Sequence, residues 1–382
     1  MSNRTRIGWI CNSSIGTSET FLVDNLNMLK GFADVKAFSG NADKQSPNPS
    51  VKALDFDDVP QRMHHIIRRK LTGQDVRTLS KRKRCKAQLF KGLQSFNPDV
   101  LWIEFGTTAH VASDLIEALG KPYLIAVHGF DITRELRDPW YASEFTRLAN
   151  GSQGVVCASH HTRNLCRVAG VEEDKCKVIR LPIDGQRFQA NPIAQPDPAS
   201  FVHLGRLVEK KGPLQTLMAF EQVIRDIPNA RMTFIGDGPL RPTLEAHIQK
   251  ANLGHAVTLS GPLPQSEALQ LVAKHATFCQ HSVTGMDGDQ EGFALSPAEA
   301  ALMEMPVVST FHNGIPEHVV NGKTGHLVRE WDIQGMADAM LQLAKDPIKG
   351  KAMGQAGRKN ILTLCNPEKR EVELKQLITS IS

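Results

Sequence analysis

Short apolar runs rich in Val and Ile recur along the chain at Arg6–Cys11, Val35–Phe38, Val100–Glu104, Tyr123–Val127, Gly154–Ala158 and Lys177–Leu181. Between them lie longer stretches, such as Thr20–Lys30, Ser80–Phe96 and Ser159–Ala169, whose apolar residues return every three or four positions. The first pattern predicts strands buried on both faces and the second predicts amphipathic helices. Their alternation is βαβ grammar, which requires a parallel sheet covered by helices. It pauses at residues 189–199, where Pro192, Pro196 and Pro198 leave little to bury, and this stretch reads as a linker. It then resumes with strands at Ser200–Leu204, Arg231–Ile235, Ala256–Ser260, Thr277–Gln280, Pro306–Ser309 and Gly325–Val328. Helices are predicted between them near Gly212–Ile227, Leu240–Ala251, Gln265–Lys274 and Asp332–Lys345. The predicted architecture is α/β, with two doubly wound Rossmann-like domains over residues 1–188 and 200–365. A final helix is expected at Pro367–Ile381. Such sheets bind ligands outside the carboxyl ends of their strands, so the expected site is a cleft between two of them.

Composition agrees with two ordinary cores: 382 residues, 41% hydrophobic and 22% charged. No stretch approaches the roughly 18 to 20 apolar residues of a membrane span, and Met1–Arg6 leads into no secretory apolar region, so a cytoplasmic protein is expected. Seven scattered cysteines with no Cys-x-x-Cys pair argue against a disulfide framework or a thiolate zinc site and read as buried, reduced thiols.

Charge becomes informative once it is located. The chain carries a net +5, yet Gln61–Lys91 alone holds eleven Lys and Arg against Asp75, which leaves the remainder net acidic. One basic patch on an acidic protein suits an anionic surface, and an anionic inner membrane leaflet is the expected partner, with no nucleic acid. The competing reading is a solvated helix face, since Cys85, Leu89, Leu93 and Phe96 repeat at helical spacing and would turn the cations outward.

The densest candidate chemistry lies in Glu291-Gly-Phe-Ala-Leu-Ser-Pro-Ala-Glu299. Two carboxylates stand eight positions apart across a turn that opens into a helix, whose free N–H groups at Gly292, Phe293, Ala294 and Leu295 suit phosphate oxygens. Glu291 could grip sugar hydroxyls and Glu299 a ribose diol. Arg206 and Lys211 offer a planar fork and a point charge for a diphosphate. Gly16, in the small-residue loop Asn12–Ser18, would let backbone approach a ligand, and His128 directly follows a buried-type strand. Asp287-Gly-Asp289 has the spacing of a divalent-metal pair. Gly236-Asp-Gly238 lacks the third glycine of a dinucleotide fingerprint because Arg241 takes its place, and there is no P-loop.

The stretch from Glu291 through Pro306-Val-Val-Ser-Thr310 to Gly314-Ile-Pro-Glu-His-Val-Val-Asn-Gly-Lys-Thr-Gly325 resembles the donor-site signature of retaining glycosyltransferases of family 4, which have the GT-B fold. His203-Leu-Gly-Arg-Leu-Val-Glu-Lys-Lys-Gly212, Phe234-Ile-Gly-Asp-Gly-Pro-Leu-Arg241, Ser260-Gly-Pro-Leu-Pro-Gln-Ser-Glu267 and Val127-His-Gly-Phe-Asp131 resemble further elements of that family in the same order. With Thr17-Ser-Glu-Thr-Phe21 and Asp287-Gly-Asp-Gln-Glu291, the resemblance is closest to exopolysaccharide enzymes of the colanic acid type. Two departures stand out: Ala294 replaces a common glycine, and Glu304 replaces the glycine that usually ends the motif helix.

The resemblance implies a metal-independent, retaining hexosyltransferase. Its co-substrate would be a nucleotide-diphosphate sugar, with UDP or GDP as the nucleotide, and its acceptor a glycan or a lipid-linked glycan. It places Glu291 on the donor sugar, Glu299 on the ribose, and Arg206 with Lys211 on the diphosphate. His128 and Gly16 would close the site from the other domain, and residues 366–382 would pack back on that domain. No cofactor and no metal ligand are expected. The alternatives are another enzyme on the same fold, an epimerase or phosphorylase, and a catalytically silent membrane- or nucleic-acid-binding module.

Overall fold

The computed structural model describes residues 4–11, 20–40, 52–54, 76–188 and 196–381. The chain divides into two compact units: Met1–Cys157 with Arg163–Ile179 and Glu371–Ser382, and Ala158–Thr162 with Arg180–Arg370.

In the first unit seven strands form one sheet: β1 (Arg6–Cys11), β2 (Asp34–Gly40), β3 (Lys52–Leu54), β4 (Val100–Glu104), β5 (Tyr123–Val127), β6 (Gly154–Cys157) and β7 (Cys176–Val178). Their order is β3-β2-β1-β4-β5-β6-β7, and every pairing is parallel. β4 is buried along its whole length, as a strand covered on both faces must be. Trp9 of β1 lies opposite Trp102 of β4, and Cys11 opposite Glu104, which brings a carboxylate to the carboxyl edge where the strand order reverses. One face of the sheet packs Leu22, Leu26 and Leu29 of the helix Thr20–Phe32 with Leu374 and Ile378 of the helix Pro367–Thr379. The other packs Leu89 and Leu93 of the helix Val76–Phe96 against Ile103 and Phe145.

The second unit repeats the plan with β8 (Ser200–Leu204), β9 (Arg231–Ile235), β10 (Val257–Gly261), β11 (Thr277–Cys279), β12 (Val307–Thr310) and β13 (Gly325–Val328), ordered β10-β9-β8-β11-β12-β13. Numbered within each unit, both sheets follow 3-2-1-4-5-6, the order of a dinucleotide-binding fold, so each has its ligand-binding switch point between its first and fourth strands. These are the two Rossmann-like domains the hydrophobic pattern predicts. The pattern did not foretell β3 or the helices Pro139–Gly151 and Pro347–Leu364.

Among the buried histidines of this unit are His203, His281 and His318. Burial pushes their pKa down to about 3, about 4 and about 4, respectively. Neutrality also fits their bonds: His281 Nε2 accepts from the Trp331 N–H at 2.9 Å, and His318 Nε2 donates to the Phe293 carbonyl at 2.8 Å. The unfolded chain therefore takes up protons first as the pH falls. The stability these groups contribute is complete above about pH 6.5 and declines toward pH 4 and 3, by roughly 1.4 kcal/mol per histidine per pH unit. A urea midpoint that drops markedly between pH 7 and pH 5 is the expected result; an unchanged midpoint would contradict neutral burial.

Six cysteines (Cys11, Cys157, Cys166, Cys176, Cys279 and Cys365) are free and buried. Among the described residues no helix is long and apolar enough to cross a membrane, and no group of three or more His, Cys, Asp or Glu could hold a metal ion.

Candidate active site

The carboxyl ends of β8 and β11 define the switch point of the second unit. After β8 the chain turns through Gly205 and Arg206 into the 3-10 turn Glu209–Lys211 and then the helix Pro213–Asp226. Gly212 joins these last two elements with φ +54, and a Cβ there would lie 1.7 Å from the His281 carbonyl oxygen beyond β11. Only glycine permits that approach, which fixes where Lys211 emerges.

Lys211 Nζ lies 3.0 Å from Glu291 Oε1, with both side chains mostly buried. It also reaches Ser296 Oγ at 3.5 Å, and Ser296 donates to Gln280 Oε1 at 2.9 Å. Burial alone pushes the Glu291 carboxyl up, but the charges of Lys211 and Lys210 bring it down to about 2, so it is ionised at neutral pH. Lys210 pairs with Asp289 at 3.1 Å, and Glu209 Oε2 accepts from the Met286 N–H at 2.8 Å. Each residue of the 3-10 turn thus grips the loop that delivers Glu291. Asp289 of the Asp-x-Asp pair is committed to a lysine.

The turn at 291–294 is held by its carbonyls and one amide. Glu291 O accepts from Asn313 Nδ2 at 3.1 Å, Gly292 O from Ser159 Oγ at 2.9 Å, and Phe293 O from His318. The Glu291 N–H donates to His312 Nε2 at 3.1 Å, so the other ring nitrogen carries the proton toward Glu330 Oε1 at 2.6 Å. The helix Leu295–Leu302 begins here without a side-chain cap, leaving first-turn amides open to an anion. Glu299 is half-buried within it, and Arg206 is exposed beside the same edge.

Ala294 and Glu304 occupy left-handed backbone, with φ 61 and φ 60. The turn therefore keeps a glycine-like conformation despite the side chains. Left-handed backbone costs an L-residue about 1–2 kcal/mol, partly offset by the greater freedom of glycine when unfolded. Ala294→Gly and Glu304→Gly should each stabilise by about 0.5–1 kcal/mol. A lower urea midpoint in either variant would contradict this.

In the first unit His128 follows β5. Its Nε2 lies 2.8 Å from Glu104 Oε2, and its ring packs against Phe21 and Phe105. Asp131 fixes the loop by accepting the N–H groups of His128, Gly129 and Gly106 at 3.1, 2.9 and 3.0 Å. Gly16 lies outside the described residues, as do residues 61–75 of the basic segment, while the rest of it lies on the helix Val76–Phe96. Of that basic segment, Lys86 pairs with Asp114 at 2.8 Å and Lys91 is exposed.

Sequence reasoning brought forward Glu291, Glu299, Arg206, Lys211, Gly292, Phe293, Ala294 and Leu295, and the structure gathers all of them at one edge of the second sheet. It missed Lys210, His203, His312, Ser296 and Gln280. It also missed Glu104, whose signal was an acid closing the otherwise apolar run Val100–Glu104.

A glycosyltransferase family 4 model matches residues 44–187 and a model of glycosyl transferases group 1 matches residues 186–360. The chain belongs to this family of GT-B glycosyltransferases. It is 30% identical over 255 residues to WcaL of Salmonella typhimurium, a glycosyltransferase assigned to colanic acid biosynthesis; the match covers 66% of this chain and 63% of WcaL, less than two thirds of that relative. It is 28% identical over 280 residues to the GDP-mannose-dependent alpha-(1-6)-phosphatidylinositol monomannoside mannosyltransferase of Mycolicibacterium smegmatis, covering 68% of this chain and 71% of that one. The fold is shared with Anabaena HepE, solved in complex with UDP and glucose, at a TM-score of 0.79 and 17% identity over 98% of this chain and 100% of that chain.

Proposed function

We propose that this chain is a retaining glycosyltransferase that moves a sugar from a nucleotide-diphosphate donor to a glycan or lipid-linked acceptor in surface polysaccharide biosynthesis. The observation that carries the reading is the Lys211–Glu291 pair, 3.0 Å apart, beside the uncapped start of the helix Leu295–Leu302 at the switch point. Breaking a sugar–phosphate bond passes through an oxocarbenium-like state while negative charge collects on the departing diphosphate, and fixed positive charge there lowers the barrier. Lys211, Arg206 and the first-turn amides supply that charge, so the reaction runs without a metal ion. Glu291 orients the donor sugar and Glu299 takes the ribose. His128 and Gly16 contribute from the amino-terminal domain.

UDP and GDP are the donor nucleotides to test first, since a structural neighbour binds UDP and a relative is GDP-mannose-dependent. The basic segment Gln61–Lys91 docks on an anionic membrane where a lipid-linked acceptor would reside, each nearby cation adding about 1 kcal/mol. Loss of binding to anionic vesicles at high salt, with binding at low salt, is the expected behaviour.

The deciding experiment is thermal unfolding with UDP, GDP, ADP and CMP, each with and without EDTA, followed by transfer assays with sugars on the selected nucleotide. A nucleotide at 100 times its Kd stabilises by about 2.7 kcal/mol and raises the melting temperature by several degrees. A shift for one nucleotide that survives EDTA supports the reading. Turnover without any glycan acceptor would favour an epimerase or phosphorylase, and no shift at all would favour the silent binding module.

A further inference from the structure

Glu104 is fully buried at the carboxyl end of β4. Its Oε1 accepts from Trp9 Nε1 at 3.1 Å, Trp102 Nε1 at 2.8 Å and Asn25 Nδ2 at 2.5 Å, while Oε2 faces His128 Nε2 at 2.8 Å. Both indoles can only donate, and they crowd one oxygen. Burial pushes this carboxyl up, but the His128 contact and the indole bonds more than compensate and hold it below its ordinary value. An ionised carboxylate only accepts, so the proton of the Glu104–His128 contact must sit on His128 Nε2. The other ring nitrogen, Nδ1, is shielded from solvent and has no hydrogen-bond partner among the described residues.

An unpaired buried acceptor is costly; ring nitrogens of His203 and His318 share that state, and what distinguishes His128 is its place and its partners. Here the main chain is pinned by Asp131, the ring by Phe21 and Phe105, and the tautomer by Glu104, at the sheet edge where ligands of this fold bind. A glutamine at 104 would serve the indoles equally well without burying a charge. What only the carboxylate achieves is to dictate which nitrogen of His128 carries the proton.

We propose that Glu104 is a positioning residue for sugar transfer: it holds His128 in the Nε2–H form, so that Nδ1 stands as a hydrogen-bond acceptor for a substrate hydroxyl. This rests on the reading that His128 faces substrate. In Glu104→Gln, the amide oxygen stays with the indoles and Asn25, the amide N–H turns to His128 Nε2, and the proton moves to Nδ1. The ring then presents a donor where a hydroxyl needs an acceptor.

The test pairs a spectroscopic and a kinetic readout on the full chain. Nitrogen-15 spectra of histidine-labelled protein, with His128 assigned by its loss in His128→Gln, should show Nε2–H in the native chain and Nδ1–H in E104Q. E104Q should lose about 10- to 100-fold in kcat, with the nucleotide-induced thermal shift unchanged. Glu104→Asp, a shorter carboxylate, should keep the Nε2–H form and retain more activity than E104Q; a merely structural role predicts the reverse, since glutamine preserves shape. Nδ1–H in the native chain, native kcat in E104Q, or E104D less active than E104Q would overturn the proposal. If E104Q does not fold, the native spectrum and E104D decide. Failure of the underlying function would show instead as a native chain that transfers no sugar from any donor.

Discussion

Glu291→Gln should reduce sugar transfer by roughly 100-fold or more while leaving nucleotide binding intact or tighter. The carboxylate is ionised at neutral pH, with its pKa at about 2, and it occupies Lys211 at 3.0 Å. An amide of the same shape keeps the packing but gives up the charge that would orient the donor sugar. It also releases Lys211, which then meets an incoming diphosphate without an internal competitor. Transfer kinetics and the nucleotide-dependent melting shift separate the two effects. Native transfer in this variant would remove Glu291 from the chemistry, and a matching loss of nucleotide binding would reassign it to holding the cation cluster together.

Gly212→Ala should be the more damaging change to the fold. The position combines left-handed backbone with a Cβ only 1.7 Å from the His281 carbonyl, so neither a rotamer change nor a small side-chain shift relieves the overlap. The backbone alone costs about 1–2 kcal/mol, and pushing the end of β11 away brings the total to about 4 kcal/mol or more. A melting temperature roughly 10 °C lower is expected. Because Lys211 is the preceding residue, surviving activity should fall too. A midpoint within two or three degrees of native would mean that the turn can move away from β11 at little cost.

The parallel sheets were legible because strands buried on both faces must be short continuous apolar runs, and such runs are visible without contacts. The helix Pro347–Leu364 was not, because part of its buried face is Gly350, Gly354 and Gly357, which fit tight packing yet carry no hydrophobic signal. At the site, Glu291 and Lys211 stood out through their surrounding motifs. Glu104 was absorbed into an apolar run, since one carboxylate at a strand end looks like the start of a loop until two indoles and a histidine are seen converging on it. The Lys210–Asp289 pair joins residues 79 positions apart and becomes visible only once β8 and β11 are neighbours.

Leu374 and Ile378 belong to the same buried cluster as Ile7 and Trp9. During synthesis most of the first unit is made before the second, yet its core stays unfinished until Leu374 and Ile378 have been added. Its apolar sheet face must wait through the production of the entire second unit, an interval in which chaperone shielding matters more than final stability. Removing 371–382 would leave the second unit's sheet intact and strip a layer from the first, so the cost would fall on the unit whose sheet is made earliest.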